Sequence, residues 1–489
     1  MNATRAAPPE GLTFRTKFLY GLGSISFGVH VYVLSLLLFF YNQVIGLPAG
    51  WVSLALSVTL VVDAAWDPIL GQISDGLRTR WGRRHPLMYL SAFPVAVTML
   101  ALWRPPASFS NPEKALWLFG FAMLCRLVIS LYEVPSQALA PELAPDYHER
   151  TSLLAYRWVF FTVGGGVAVM LGYFIFFRPT PQYPQGQLNP AAWGPMTFTA
   201  AALMFGSILI SALGTHDRIG RLHQPAIDRR PFKEVVATAF ATLRNRNLGV
   251  AMSAALFGGL SYGIYLGLEL YVATFFWRLP ASAVGLLSLA NLLSVFPGAI
   301  LATAATRWRG KRLACIGLFF LSMLLLQGPI LAKLLGAFPA NGSAAYLPTL
   351  MAIRFAHGML TNAGFIVATS MIADITEDSQ VKTGRRSEGL VMAINSFVTK
   401  TTTGVSALLP GLMLAFVGFP AVATAKVAPA IVDRLMWVYL PSTALLSALS
   451  IAVWFAYRID QKTHEANLAA VAAAEARMEA TSAAPTAAA

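Results

Sequence analysis

Eight ionisable side chains lie inside stretches of sequence that are otherwise almost wholly apolar. They are the acids Asp63, Asp67, Glu133 and Glu269, and the bases Arg126, Arg157, Arg354 and Lys400. An isolated charge at the centre of a bilayer costs about 2.5–3.5 kcal/mol on insertion scales, and such residues usually mark ion or solute pathways. We therefore expect these side chains to pair with one another or to line a water-filled cavity.

Two of the acids, Asp63 and Asp67, are spaced for one face of a helix. They are four positions apart, so their side chains lie about one turn apart. Two carboxylates this close in a low dielectric either share a proton or capture a cation. The spacing predicts a cation-binding site; the alternative is that each acid pairs with a structural base.

Polar residues at helical spacing form stripes within three apolar blocks, one in the first half of the chain and two in the second. The first stripe consists of Arg126, Ser130, Glu133 and Gln137. The other two consist of Arg354, His357 and Thr361, and of Ser396, Lys400 and Thr403 with Asn395 beside it. Such stripes either join helices by hydrogen bonds or line a cavity. Because they recur in both halves, we favour a substrate cavity.

The elements that must position these residues are membrane-spanning helices. Of the 489 residues, 56% are hydrophobic and 12% charged, against about 25% charged in a soluble domain. The apolar residues fall in twelve blocks of about the length that crosses a hydrocarbon core. The blocks are 17–42, 50–74, 86–104, 115–140, 152–177, 195–214, 248–276, 281–305, 313–333, 346–373, 389–418 and 434–457. The sequence predicts an all-α membrane protein with twelve transmembrane helices.

The distribution of Lys and Arg predicts the orientation. Of 36 such residues, 25 fall in the two tails and the loops on their side of the membrane, and seven fall in the opposite loops. This is a positive-inside bias that places both termini in the cytoplasm. Because the net charge of +14 is concentrated in these short loops beside lipid, we expect no nucleic-acid partner.

Internal repetition predicts two six-helix halves. Basic loops containing Trp81 and Trp308 follow the second and eighth blocks, and acidic-then-basic loops follow the fourth and tenth. Two such halves are the layout of a transporter that rocks about a central site. The predicted regions are a cytoplasmic tail at 1–16, a half at 17–214, a cytoplasmic loop at 215–247, a half at 248–457, and a largely disordered cytoplasmic tail at 458–489.

Charged residues at the cytoplasmic ends of the first half predict a gating network. They are Asp75, Arg78, Arg83, Arg84, Glu142 and Arg150. We expect this charge network to break when the cytoplasmic side opens. The sequence carries no catalytic elbow, phosphate-binding loop or metal-ligand cluster, so we expect neither an enzyme nor a cofactor. Cys125 and Cys315 lie in apolar blocks and are expected to fill the core.

The same residues occur in motifs that resemble the glycoside–pentoside–hexuronide:cation symporters, the melibiose permease-like family of the major facilitator superfamily. The motifs are Asp63-Ala-Ala-Trp-Asp67-Pro68, the loop from Asp75 to Pro86, Tyr132-Glu133-Val-Pro135, the segment from Asp146 to Thr151 with Arg157, and the segment from Asp374 to Glu388 with Lys400. The resemblance spans all twelve blocks. It implies the fold of that superfamily and transport of a sugar or glycoside coupled to H+ or Na+.

The resemblance also implies roles for individual residues. The cation would be bound by Asp63, Asp67 and Ser130. The substrate would be bound by Glu133, Gln137, Arg157, Asn395, Ser396 and Lys400. Three departures stand out: Ser26-Phe27-Gly28 replaces an acidic motif on the first helix, Trp66 stands where a sodium-binding Asn is found, and Gln137 replaces a sugar-facing Trp.

These observations predict an alternating-access symporter in a bacterial inner membrane, acting as a monomer on a small solute. Two alternatives stay open. One is a symporter of an amphipathic or other non-sugar solute, because relatives with this fold also move lysolipids. The other is a membrane sensor that transports nothing, although such a protein would have little use for eight intramembrane charges.

Overall fold

The computed structural model describes residues 12–144, 147–221, 245–383, 388–421, 427–460, 462–467 and 470. In these ranges the chain is helical, and the only strand-like pairing is an isolated bridge between Thr79 and Gly82. The α-helices are α1 (Phe14–Leu22), α2 (Ser24–Leu34), α3 (Leu37–Phe39), α4 (Ala49–Gly76), α5 (His85–Leu102), α6 (Asn111–Leu143), α7 (Tyr147–Leu171), α8 (Pro190–Gly214), α9 (Arg246–Tyr271), α10 (Ala281–Leu293), α11 (Val295–Leu334), α12 (Tyr346–Thr383), α13 (Glu388–Phe416) and α14 (Pro429–Trp454). The all-α prediction is confirmed.

Ten segments of the described residues are long and apolar enough to cross a membrane. One of them, Ala281–Leu334, has 54 residues, which is far more than the roughly 20 that one crossing needs. It contains Gly310 with φ +70°, a left-handed conformation that favours glycine. The chain therefore turns at Gly310, between the predicted blocks 281–305 and 313–333. The count of twelve crossings stays a prediction.

The chain groups into two compact units. The first contains Met1–Ile227, Leu266–Ser288 and Ala407–Val432, and the second contains Asp228–Tyr265, Leu289–Ser406 and Asp433–Ala489. The division at Ile227 falls inside the predicted loop 215–247, but the first unit also contains Leu266–Ser288 and Ala407–Val432 from the predicted second half. The division into six and six helices therefore stays a prediction. Most of that loop, residues 1–11 of the first tail and most of 458–489 lie outside the described residues.

Close packing of α2 against α7 fixes one wall of the first unit. A Cβ added at Gly28 would lie 2.9 Å from the carbonyl carbon of Phe161 and 3.1 Å from the amide nitrogen of Gly165. Small residues at such crossings let helix backbones approach in a membrane. The pairing of glycines therefore brings the first and fifth spans together, and it brings Tyr20 on α1 close to Arg157 on α7.

Buried aromatic rings fill another part of the first unit. Trp103 and Trp193 stack with ring centroids 5.3 Å apart, and Phe40 packs on both at 4.9 and 5.0 Å. The second unit has its own apolar core, in which Trp454 and Tyr457 pack among aliphatic side chains from α9, α11 and α12. Side-chain packing therefore holds the helices together within each of the two units.

Candidate functional site

An ion pair lies at the centre of the first unit. Arg157 donates from Nη2 to Oε1 of Glu133 over 2.6 Å. The two residues are only 7% and 8% exposed, so the bilayer and the packed helices shield their attraction from water. A buried pair of this kind is held only when further hydrogen bonds satisfy the remaining donors.

Two neighbouring side chains supply those hydrogen bonds and orient the guanidinium. Nη1 of Arg157 donates to Ser136 Oγ over 2.6 Å and to Tyr20 Oη over 3.3 Å. The hydroxyl of Tyr20 in turn donates to the backbone oxygen of Ser136 over 2.7 Å, and its ring lies under the guanidinium with 5.4 Å from Cζ to the centroid. The sequence prediction missed Tyr20 and Ser136, although Ser136 follows Glu133 by the three residues that place both on one helix face.

The two carboxylate oxygens of Glu133 differ. Oε1 accepts from Arg157 and also from Nε2 of Gln137 over 2.8 Å. Oε2 is buried and, among the described residues, has no hydrogen-bond partner. A buried ionised acceptor without a partner is costly. The predicted residues Glu133, Gln137 and Arg157 are thus together, and among the described residues one buried oxygen of Glu133 keeps its capacity to accept a hydrogen bond.

The predicted cation-site residues lie on α4 and α6. Asp63 and Asp67 are half-buried on α4, and Ser130 Oγ on α6 donates to Asp63 Oδ1 over 3.3 Å. Arg126, one turn from Ser130, interacts electrostatically with Asp63. The indole nitrogen of Trp66 is buried and, within the described residues, makes no hydrogen bond. The structure thus brings Asp63 and Ser130 together and adds a base beside them.

The remaining predicted substrate residues belong to α13 in the second unit. Asn395 and Lys400 are half-buried, and the side chain of Ser396 lies outside the described residues. The role of these three residues in binding stays a prediction.

Four of the six predicted gating residues form one cluster at the ends of α4, α5 and α6. Glu142, which is 3% exposed, accepts from Arg83 Nη2 over 3.0 Å and from Arg84 Nε over 2.9 Å. Arg84 also pairs with Asp75 over 2.6 Å and donates to Ser74 over 2.9 Å. Arg78 is exposed just after α4 and Arg150 is half-buried in α7; the structure does not bring these two into the cluster.

A matching cluster in the second unit supports the internal repeat. Lys311, in the basic loop after the eighth block, donates to both oxygens of Asp374 over 2.7 and 2.8 Å. His464 lies 3.6 Å from the same carboxylate. Lys311 follows the eighth block as Arg84 follows the second. Asp374 follows the tenth block as Glu142 follows the fourth. The two ion pairs therefore occupy corresponding places in the two predicted halves.

Comparison with known proteins identifies the family of this chain. The sequence model of the family described as MFS/sugar transport protein matches residues 19–461. The chain belongs to this family. Its members belong to the major facilitator superfamily, so this family member is a membrane transporter and not an enzyme. The family and the superfamily that the sequence motifs predicted are therefore confirmed.

Individual relatives span nearly the whole chain. The inner membrane symporter YicJ of Escherichia coli (strain K12) is 23% identical, and the match covers 85% of this chain and 86% of YicJ. The isoprimeverose transporter of Lactiplantibacillus pentosus is 24% identical, with 91% and 89% covered. Among solved structures, the inward open xylose transporter XylE from E. coli superposes with a TM-score of 0.61 at 13% identity, covering 93% of this chain and 99% of XylE. This likeness shows that the two share a fold.

Proposed function

We propose that this transporter carries a sugar or glycoside across the bacterial inner membrane by cation-coupled symport and alternating access. The observation that carries the proposal is the buried pair of Glu133 and Arg157, in which one carboxylate oxygen holds two donors and the other, among the described residues, holds none. A sugar hydroxyl can donate to that second oxygen. Such a charge-assisted hydrogen bond contributes about 1.5–3 kcal/mol.

The pair is also held in a fixed geometry, which favours selective binding. Ser136 and Tyr20 bind the guanidinium of Arg157, and Gln137 binds the carboxylate of Glu133. Because these contacts exist before the substrate arrives, less ordering accompanies its binding. A polyol with several hydroxyls is the solute that matches a short row of fixed donors and acceptors.

The comparisons support the same substrate class. The description of the matching family names sugar transport, and one relative is named as an isoprimeverose transporter. Another is named as an inner membrane symporter, which supports both the location and the coupling mode. We take the orientation with cytoplasmic termini from the positive-inside bias, and we propose a monomer as the working unit.

Coupling is assigned to Asp63, Asp67 and Ser130, with H+ or Na+ as the driving ion. Two carboxylates one turn apart in a low dielectric favour binding of a positive charge. We assign Asn395, Ser396 and Lys400 to the substrate side of the cavity. The cytoplasmic charge network, with Arg78 and Arg150 included, is assigned to closure of the inner end.

Galactosides of the melibiose type are expected to be poor substrates. No acid lies between Lys17 and Asp63, and the corresponding part of the first helix reads Ser26-Phe27-Gly28. Phe27 stacks on His30 with ring centroids 6.3 Å apart and an interplanar angle of 8°. Hydroxyls buried without acceptors cost about 1–3 kcal/mol each, so two would weaken binding by at least roughly thirtyfold.

The apolar wall at Phe27 favours a second candidate, a solute with one hydrophobic side. An aryl glycoside satisfies both features, since its sugar meets Glu133 and its ring meets Phe27. A lysolipid-like solute is the non-sugar version of the same idea.

Binding and uptake by the purified protein test these proposals. We expect calorimetry to show binding of isoprimeverose or an aryl glycoside and much weaker binding of melibiose. In proteoliposomes, the bound sugar should accumulate against its gradient when an ion gradient is imposed. Tight melibiose binding would contradict the expectation that Ser26-Phe27-Gly28 on the first helix makes galactosides poor substrates. Lysolipid uptake in the absence of any sugar uptake would show that the substrate is a lysolipid-like solute and not a sugar.

A further inference from the structure

Two turns of the chain expose a tryptophan beside an arginine, one turn in each unit. The first Trp–Arg turn comprises residues 79–82, between α4 and α5, and the second comprises residues 307–310, within α11. Trp81 is 42% exposed and Trp308 is 77% exposed. Neither the sugar site nor the cytoplasmic charge network uses these two side chains.

A glycine with positive φ shapes each turn. Gly82 has φ +75° and Gly310 has φ +70°, a left-handed conformation that favours glycine. In the first turn the hydroxyl of Thr79 also donates to the backbone oxygen of Gly82 over 2.8 Å and accepts from the amide of Trp81 over 3.1 Å. The same kind of chain reversal therefore exposes a tryptophan in both units.

The basic residues at the turns fall into two groups. One base beside each turn binds an acid of its own unit, in the two charge clusters already described. The others, Arg80, Arg307 and Arg309, are exposed, and none of the ion pairs among the described residues includes them. Each turn therefore presents positive charge on its surface.

Two of these arginines lie over the exposed indole rings. Cζ of Arg309 is 4.3 Å from the ring centroid of Trp308, and Cζ of Arg80 is 5.2 Å from that of Trp81. Both distances are within the roughly 6 Å over which a cation is attracted to a ring face. Stacking uses the flat face of a guanidinium and leaves the N–H groups at its edge, which match the oxygens of a phosphate.

Exposed apolar side chains beside both turns place them at the edge of the hydrocarbon layer. The rings of Trp81 and Tyr89 pack edge to face with centroids 5.8 Å apart. Phe93, one helical turn beyond Tyr89 on α5, is 68% exposed, and Leu313, just after the second turn, is 46% exposed. In membrane-spanning segments such side chains contact lipid tails. Tryptophan is enriched at this boundary, where its ring lies at the level of the headgroups.

We propose that the two Trp–Arg turns bind the headgroups of anionic phospholipids, such as phosphatidylglycerol, in the leaflet that the basic loops face. The edge of the guanidinium binds the phosphate oxygens, and the indole packs on the glycerol and the first carbons of the acyl chains. A zwitterionic headgroup adds an ammonium group that the exposed arginines repel, so the anionic lipid is preferred. This binding is independent of the solute that the protein carries.

Lipid titration of the purified full-length protein in detergent tests the proposal. Native mass spectrometry counts bound phosphatidylglycerol or phosphatidylcholine, and the midpoint of thermal unfolding measures the stabilisation. The unmodified protein should prefer phosphatidylglycerol in both readouts. Because each arginine near an anionic surface contributes about fivefold, Arg307→Gln with Arg309→Gln should weaken binding at the second turn roughly thirtyfold. Arg80→Gln with Trp81→Leu should weaken the first turn by at least about fivefold.

The other ends of α4 and α5 supply a matched control. Trp51, near the start of α4, is 46% exposed, and Arg104, just after α5, is also exposed. The double variant Trp51→Leu, Arg104→Gln removes the same types of side chain from the ends away from the first turn, and should bind phosphatidylglycerol as the unmodified protein does. Inorganic phosphate at equal ionic strength should give no stabilisation, because it has no apolar part to pack on the indole.

Four results would overturn the proposal. They are equal binding of the two lipids by the unmodified protein, unchanged phosphatidylglycerol binding in the folded turn variants, an equal loss in the control, and stabilisation by phosphate equal to that by the lipid, which would indicate a site for a free anion. If a turn variant does not fold, hydrogen exchange of the unmodified protein in nanodiscs decides. Slower amide exchange at both turns in phosphatidylglycerol than in phosphatidylcholine supports the proposal, and equal exchange refutes it.

Discussion

Replacement of Glu133 by glutamine removes the charge of the central acid while preserving its shape. In the Glu133→Gln variant the amide oxygen can still accept from Arg157 and Gln137, but an NH2 group takes the place of the unpartnered oxygen Oε2. A substrate hydroxyl then meets a donor where it met an ionised acceptor. Losing a charge-assisted hydrogen bond of about 1.5–3 kcal/mol lowers affinity by at least about tenfold and by up to roughly 150-fold.

Calorimetry on purified protein with the best-bound sugar measures this loss directly. Glu133→Gln also weakens the buried ion pair, so the active fraction should be determined from the binding stoichiometry. Glu113→Gln is the matched control, because it makes the same chemical change at the exposed start of the same helix, where Glu113 binds Ser110 in a capping box. Unchanged affinity in Glu133→Gln, or an equal loss in Glu113→Gln, would refute a direct contact between Glu133 and the substrate.

Three further predictions concern coupling, the charge network and helix packing. The double variant Asp63→Asn, Asp67→Asn should lose accumulation of sugar in proteoliposomes while keeping normal expression, and full accumulation would show that the ion binds elsewhere. Glu142→Ala should destabilise the fold by about 3–5 kcal/mol, because Arg83 loses its contact with Glu142 and the buried Arg84 keeps only the exposed Asp75; an unchanged midpoint of thermal unfolding in detergent would contradict this. Gly28→Val should lower that midpoint by forcing α2 from α7, whereas Gly206→Val, with no neighbour within 4 Å of an added Cβ, should not; equal effects would refute the close contact.

The sequence allowed prediction of those features that depend on periodicity along one chain segment. The spacing of Asp63 and Asp67 and the stripe from Ser130 to Gln137 require only the helical repeat. Ser130 Oγ lies 3.3 Å from Asp63 Oδ1, while the cation-binding role that the resemblance implies for it stays a prediction. The family itself followed from the motifs. Charges inside apolar blocks were informative because insertion costs make them rare.

Contacts between distant segments could not be predicted in this way. Tyr20 binds Arg157 across 137 residues of sequence, and nothing in the first block distinguishes this tyrosine from one that merely packs. The partner of Arg126 was likewise open, since a base on the stripe could have faced any of several acids. The turn at Gly310 depends on one positive φ angle, which a glycine permits but does not require.

Accumulation of sugar by the unmodified protein in proteoliposomes is the most direct measurement of the central claim. An inward gradient of H+ or of Na+ is imposed, and internal sugar is compared with the level reached after the gradient is collapsed by an ionophore. We expect accumulation above the external concentration with at least one of the two gradients, and its loss when the ionophore is added. Uptake that only equilibrates under every ion gradient, or no uptake of any sugar that the protein binds, would contradict it.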